Sequence, residues 1–88
     1  MLIEVNGHQV FAGTGGKIFD NSKPVIVYLH GSGFSHVAWV PLAGQFTQTG
    51  YSVLVLDFPG HGNSEGKVLN SIEDNALWLK DLLKRMEL

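Results

Sequence analysis

The chain has 88 residues, 44% hydrophobic and 16% charged, with a formal net charge of −2 and no cysteine. This balance is that of an ordinary folded domain and excludes a disordered tail, a disulfide framework and a thiolate metal site. The slightly acidic charge gives no basic field for nucleic acid or an anionic membrane, so neither is an expected partner.

At this length a folded chain buries only about 60 to 65% of the surface its unfolded form exposes, so the core is small. The opening residues Met1-Leu2-Ile3-Glu4-Val5 lack the basic segment and long apolar run of a secretory leader. No stretch approaches the ~18 apolar residues of a membrane span, and the expected location is the cytoplasm. There is no repeat, low-complexity tract or linker, so residues 1–88 read as one folding unit or one piece of a unit.

The N-terminus reads as a hairpin. Leu2 to Val5 and His8 to Phe11 flank Asn6-Gly7, a pair that tolerates positive φ and favours a type I′ turn. Gly13-Thr14-Gly15-Gly16 and Asp20-Asn21-Ser22 mark further turns around Lys17-Ile18-Phe19. Lys23-Pro24 then leads into Val25-Ile26-Val27-Tyr28-Leu29, continuously apolar and rich in β-branched residues, as a parallel strand covered on both faces should be.

Trp39, Leu42, Ala43 and Phe46 fall on one face of a helix, with Pro41 in its first turn and Gly50 as its closing glycine. Tyr51 to Leu56 is a second buried strand, completing a βαβ unit with a right-handed crossover. Ser71 is the N-cap of a last helix, Glu73 and Asp74 lie in its first turn, and Lys80, Lys84 and Arg85 favour its C-terminal half. Its expected apolar stripe is Ile72, Ala76, Leu79, Leu83 and Met86, widened by Trp78, Leu82 and Leu88. No Gly or Pro follows to stop it.

Two loops carry the chemistry. His30-Gly31-Ser32-Gly33 follows the first buried strand, and Asp57-Phe58-Pro59-Gly60-His61-Gly62-Asn63-Ser64 follows the second. In acyl transfer the attacked carbonyl oxygen becomes negative, and a backbone N–H aimed at it supplies about 2.7 to 4 kcal/mol of transition-state stabilisation. Gly31 and Gly33 let backbone approach such an oxygen, which makes the Ser32 N–H the candidate donor.

Together the loops resemble the first half of an α/β-hydrolase, whose second loop has the form D-x-P-G-x-G-x-S. The resemblance runs from the Asn6-Gly7 hairpin to the final helix. It implies an α/β fold with sheet order first, second, fourth, third strand, an antiparallel hairpin, parallel pairing between the other neighbours, and helices packed on the sheet. It also implies that Ser32 and Gly33 form the oxyanion and substrate-binding loop, supported by His30, Gly31 and Asp57. The family's nucleophile sits in a G-x-S-x-G elbow after the next helix, so no catalytic residue is expected within this chain and the triad is expected beyond Leu88.

Within the resemblance Asp57 anchors its turn, His61 packs or hydrogen-bonds, and His30 orients the oxyanion loop, none of them transferring protons. The Ser32 hydroxyl lacks the spacing of a nucleophile, and His36, in the loop before the helix, is expected to face either substrate or solvent, with solvent the preferred reading. A Rossmann site is the rival reading of Gly31-x-Gly33 with Asp57, but its third glycine position holds His36 and Pro59-Gly60-His61-Gly62 has no place in it. Gly13 to Lys17 fails as a phosphate loop, because Phe11 stands at the first glycine position and Ile18 at the hydroxyl position. The four histidines lack metal-ligand spacing, so no metal or cofactor is expected.

The expected function is that of the N-terminal fragment of an enzyme hydrolysing an ester or related carbonyl substrate, inactive in isolation. The alternative is a truncated hydrolase-like module for partner binding or assembly. In either case the strand at Val25 to Leu29 becomes an edge, a site for self-association or for completion by further sequence.

Overall fold

The computed structural model describes every residue from Met1 to Leu88. Strands β1 (Leu2–Val5) and β2 (His8–Gly13) form the N-terminal hairpin, pairing Ile3 with Val10 and Val5 with His8. Asn6 and Gly7 both adopt positive φ, 52° and 83°, as a type I′ turn demands. Strand β3 (Val25–Tyr28), helix α1 (Val40–Thr47) and strand β4 (Ser52–Leu56) follow, and helix α2 (Ile72–Arg85) closes the chain.

The sheet order is β1-β2-β4-β3, with β3 and β4 parallel in the register Val25–Ser52 to Tyr28–Val55. One neighbour relation differs from the expectation. β2 pairs with β4 antiparallel, Ala12 opposite Leu56 and Gly13 opposite Val55, so it is not parallel. The reason lies in the connection. β2 leaves β4 at Val55 heading towards the start of that strand, β3 begins there opposite Ser52, and the segment 14–24 needs only to pass that end of β4. A parallel β2 would need a return crossover of a dozen or more residues, which this helix-free segment does not supply.

Strand alternation builds two core layers. Leu54 and Leu56 point into a cluster with Ile3, Val5, Val10, Ala12, Trp78 and Leu82 beneath α2, while Val53 and Val55 meet Ala43 beneath α1. All five residues of β4 are buried because both faces and both edges are covered. The four residues of β3 are only half-buried, since nothing pairs with the outer edge. From Pro24 to Leu56 the chain contains no Asp, Glu, Lys or Arg, so this end of the sheet has no formal charge.

The helices depart from their expected faces. Four residues of 3₁₀ helix, His36–Trp39, precede α1, with Ser35 as N-cap, and Pro41 lies at the start of α1 as expected. Ala43 and Thr47 are the buried side of α1, whereas Leu42 and Phe46 remain exposed. Gly50 stands past the end of α1 at φ 92°, letting the chain turn into β4. In α2 the buried residues are Trp78 and Leu82, with Leu79, Leu83 and Met86 at their margin.

Ile72 is 85% exposed and Ala76 is also exposed, so the buried stripe is rotated from the expected one. The large Trp78 ring decides it by reaching Phe58 at 5.3 Å between centroids. Ser71 caps α2 by accepting the Asp74 N–H at 3.0 Å. The helix also has a stop without glycine. Glu87 takes φ 61°, the Glu87 N–H donates to Lys84, and the Leu88 N–H donates to Leu83 at 2.8 Å, closing a Schellman motif.

Candidate functional site

The two loops meet at the carboxyl ends of β3 and β4. After β3 the chain makes a β-turn over Gly31-Ser32-Gly33-Phe34, closed by the Phe34 N–H on the Gly31 carbonyl at 3.1 Å. Gly33 at φ 80° occupies the third position, the signature of a type II turn and the reason for glycine there. After β4 a second turn, Phe58-Pro59-Gly60-His61, has Pro second and Gly60 third at φ 73°, closed by the His61 N–H on the Phe58 carbonyl at 3.0 Å. These two turns fold the His30 and His61 rings together, 5.0 Å between centroids.

Both rings hold backbone. The buried His30 has Nδ1 2.7 Å from the Gly31 carbonyl, while its Nε2 accepts the Phe58 N–H at 3.0 Å. His61 has Nδ1 3.0 Å from the Pro59 carbonyl, and its Nε2 accepts the Gly33 N–H at 3.2 Å. Of the two amides in the expected oxyanion loop, that of Gly33 is therefore engaged by His61. The Ser32 N–H has no hydrogen bond within the chain. Ser32 is exposed and lines an open cleft of about 320 Å³ together with Leu29, His30, Phe58, His61, Ile72 and Asn75.

Asp57 ties the loops from below. Its side chain is fully buried, and its carboxylate accepts the His36 N–H at 2.6 Å, the His36 ring Nδ1–H at 2.8 Å and the Asn63 N–H at 2.9 Å. A Cβ on Gly62 would run into that carboxylate, which explains the glycine. The Ser64 hydroxyl accepts the Phe11 N–H at 2.9 Å and donates to the Asp57 carbonyl at 2.7 Å, binding the second loop to β2.

His36 corrects its expectation. Its ring is 20% exposed, hydrogen-bonded to Asp57 and tilted against Phe11 with 4.6 Å between centroids, so it is part of the support and does not face solvent. No local signal could reveal this pairing, because His36 and Asp57 lie 21 residues apart and meet only through the βαβ crossover. No group of His, Cys, Asp and Glu is arranged to hold a metal ion.

A mixed sheet in this strand order, a glycine turn after β3 with a free amide, and a D-x-P-G-x-G-x-S turn after β4 together define an α/β-hydrolase fold. The sequence profile of the serine aminopeptidase S33 family matches residues 20–87, and the chain belongs to that family. Solved structures agree in fold. The chain is similar to a predicted CIB-like hydrolase from Thermoplasma acidophilum, with TM-score 0.77 and 28% identity over 99% of this chain and 44% of that one.

It is also similar to Est816, an N-acyl homoserine lactone degrading enzyme, with TM-score 0.73 and 25% identity over 99% of this chain and 32% of that one. A hypothetical protein from Pseudomonas aeruginosa PAO1 superposes with TM-score 0.76 at 23% identity, covering 99% of this chain and 30% of that one, and shows the fold alone. The chain thus spans 30 to 44% of the length of these relatives. No curated protein matches it. No helix is long and apolar enough to cross a membrane.

Proposed function

We propose that this chain is the N-terminal part of an α/β-hydrolase enzyme acting on an ester or related carbonyl substrate, in which the Ser32 N–H is one oxyanion donor. The observation that carries this reading is the unpartnered Ser32 amide beside the cleft, in a turn whose Gly31 carbonyl is engaged by Phe34 and His30 and whose Gly33 N–H is engaged by His61. The free edge of β3 is where the strand leading to the nucleophile pairs. The Tyr28 hydroxyl, on that edge strand, is buried without a hydrogen-bond partner, which supports a further layer there.

The turn geometry supplies a clean test. Ser32 is the second residue of a type II turn, a position proline favours, so Ser32→Pro removes the N–H and keeps the turn. In a chimaera joining residues 1–88 to the carboxyl-terminal remainder of the Thermoplasma acidophilum hydrolase, kcat for an activated ester should fall about 10²- to 10³-fold with KM little changed. Undiminished kcat would remove Ser32 from the oxyanion hole. The isolated chain should not react with a serine-directed fluorophosphonate.

A module for self-association is the second reading, favoured by the uncharged stretch from Pro24 to Leu56 around an open edge. Leu29, Phe34, Val37, Val40 and Leu42 are exposed within it. Under that reading, sedimentation equilibrium shows a concentration-dependent dimer that Leu29→Lys dissociates. A monomer at every concentration rejects it.

A further inference from the structure

His30 and His61 grip the Ser32 turn by the same arrangement. In each ring Nδ1 faces a carbonyl oxygen, which only accepts, and Nε2 faces a backbone N–H, which only donates. Both imidazoles are therefore neutral, with their proton on Nδ1. We infer that His30 and His61 are positioning residues whose neutral form aims the Ser32 amide, so that acidification releases the turn.

The chemistry follows from the two nitrogens. Protonation turns Nε2 into a donor, set 3.2 Å from the Gly33 nitrogen and 3.0 Å from the Phe58 nitrogen, so each attraction becomes a donor-to-donor repulsion. The rings lie 5.0 Å apart, so both grips act on the same small region of the turn. His36 behaves oppositely, because its Nδ1–H donates to Asp57 whether the ring is neutral or charged.

Few charged groups face the pair. The Asp57 carboxylate is engaged by His36 and Asn63. α2 presents Ile72 and Asn75 to the cleft, and its first-turn Glu73 and Asp74 are exposed and make no hydrogen bond to either ring. The loop after β3 presents Leu29 and Ser32, both uncharged. Each imidazole is thus the titratable neighbour of the other.

The effect on catalysis rests on the reading of Ser32 given above, but the clamp can be tested without catalysis. Proton–nitrogen NMR of the 88-residue chain from about pH 7.5 to about pH 5 spans the range in which imidazoles titrate. The Gly33 and Phe58 amides should shift together and lose up to about 10-fold of exchange protection, after correction for intrinsic rates. The Leu54 and Val55 amides should stay protected, separating the release from unfolding.

In His61→Gln the amide oxygen accepts from Gly33 at any pH, so the Gly33 response should vanish while that of Phe58 remains. A Gly33 amide unmoved across the titration, or equally moved in His61→Gln, overturns the inference. If that variant does not fold, ring nitrogen shifts of the wild type decide: protons on Nε2 at neutral pH would equally overturn it. A clamp that titrates as described while Ser32→Pro leaves the chimaera's kcat intact would reject the donor reading alone.

Discussion

The Asp57 carboxylate holds His36 twice, by its backbone N–H at 2.6 Å and by its ring Nδ1–H at 2.8 Å, at the bottom of both candidate loops. This pair of hydrogen bonds joins the end of β4 to the segment that starts α1, so the turn after β3 is framed by a fixed backbone. With the Asn63 N–H as third donor, the buried carboxylate has no water to replace what it would lose.

Asp57→Ala should therefore destabilise the chain by about 1 to 3 kcal/mol, because it removes three hydrogen bonds to a charged group and leaves partly buried N–H groups unsatisfied. A double-mutant cycle with His36→Ala, read by urea denaturation, should return a coupling energy of about 1 to 3 kcal/mol. Additive losses would show that the pair does not act as a unit. Only 16 of 88 residues are buried, so the variants need measurement at low temperature or with a stabilising osmolyte.

Gly62 and Gly33 both have positive φ, 51° and 80°, yet their surroundings differ. An added Cβ at Gly33 meets nothing within 4 Å, and Gly33→Ala should cost about 1 to 2 kcal/mol from backbone strain alone. At Gly62 the methyl strikes the Asp57 carboxylate, so Gly62→Ala adds a steric term and should lose at least about 2 kcal/mol more. Equal thermal shifts for the two variants would contradict the observed packing of that turn.

Leu82 and Ile72 separate the two possible faces of α2. Leu82 is fully buried, and Leu82→Ala should cost about 2 to 5 kcal/mol. Ile72 is 85% exposed, and Ile72→Ser should stay within about 0.5 kcal/mol of the parent. Denaturant midpoints of the two variants measure this directly, and a reversed order would place the helix on its other face.

Asp20 gives a pH dependence whose sign is fixed. Hydrogen bonds from the Ser22 hydroxyl at 2.6 Å and the Ser22 N–H at 2.9 Å hold its carboxyl below the ordinary 3.8. A depressed value means that the folded state favours the ionised form, so this contribution is full above the unfolded value and disappears as pH falls through the folded one. In urea midpoints measured against pH, Asp20→Asn should flatten the acid limb below about pH 4. Parent and variant should differ by the same amount at all higher pH.

Local chemistry made much of this protein readable from its residues. Asn6-Gly7 allowed only a tight hairpin turn, Ser71 and Asp74 fixed the start of α2, and the apolar runs at Val25 to Leu29 and Tyr51 to Leu56 marked the parallel pair. Each of these depends on neighbours a few positions away. The glycine and proline positions in the two loops likewise specified their turns, because backbone sterics act within a single residue.

Contacts between distant segments decided the rest. The antiparallel entry of β2 against β4, the Trp78–Leu82 face of α2, the seizure of the Gly33 amide by His61 and the His36–Asp57 bond all join residues brought together only by the assembled sheet. Gly33 and His61 are 28 positions apart, and no periodicity in the chain encodes which of two adjacent amides an imidazole will take. That choice belongs to tertiary structure, because a hydrogen bond depends on ångström-scale placement that sequence spacing alone does not fix.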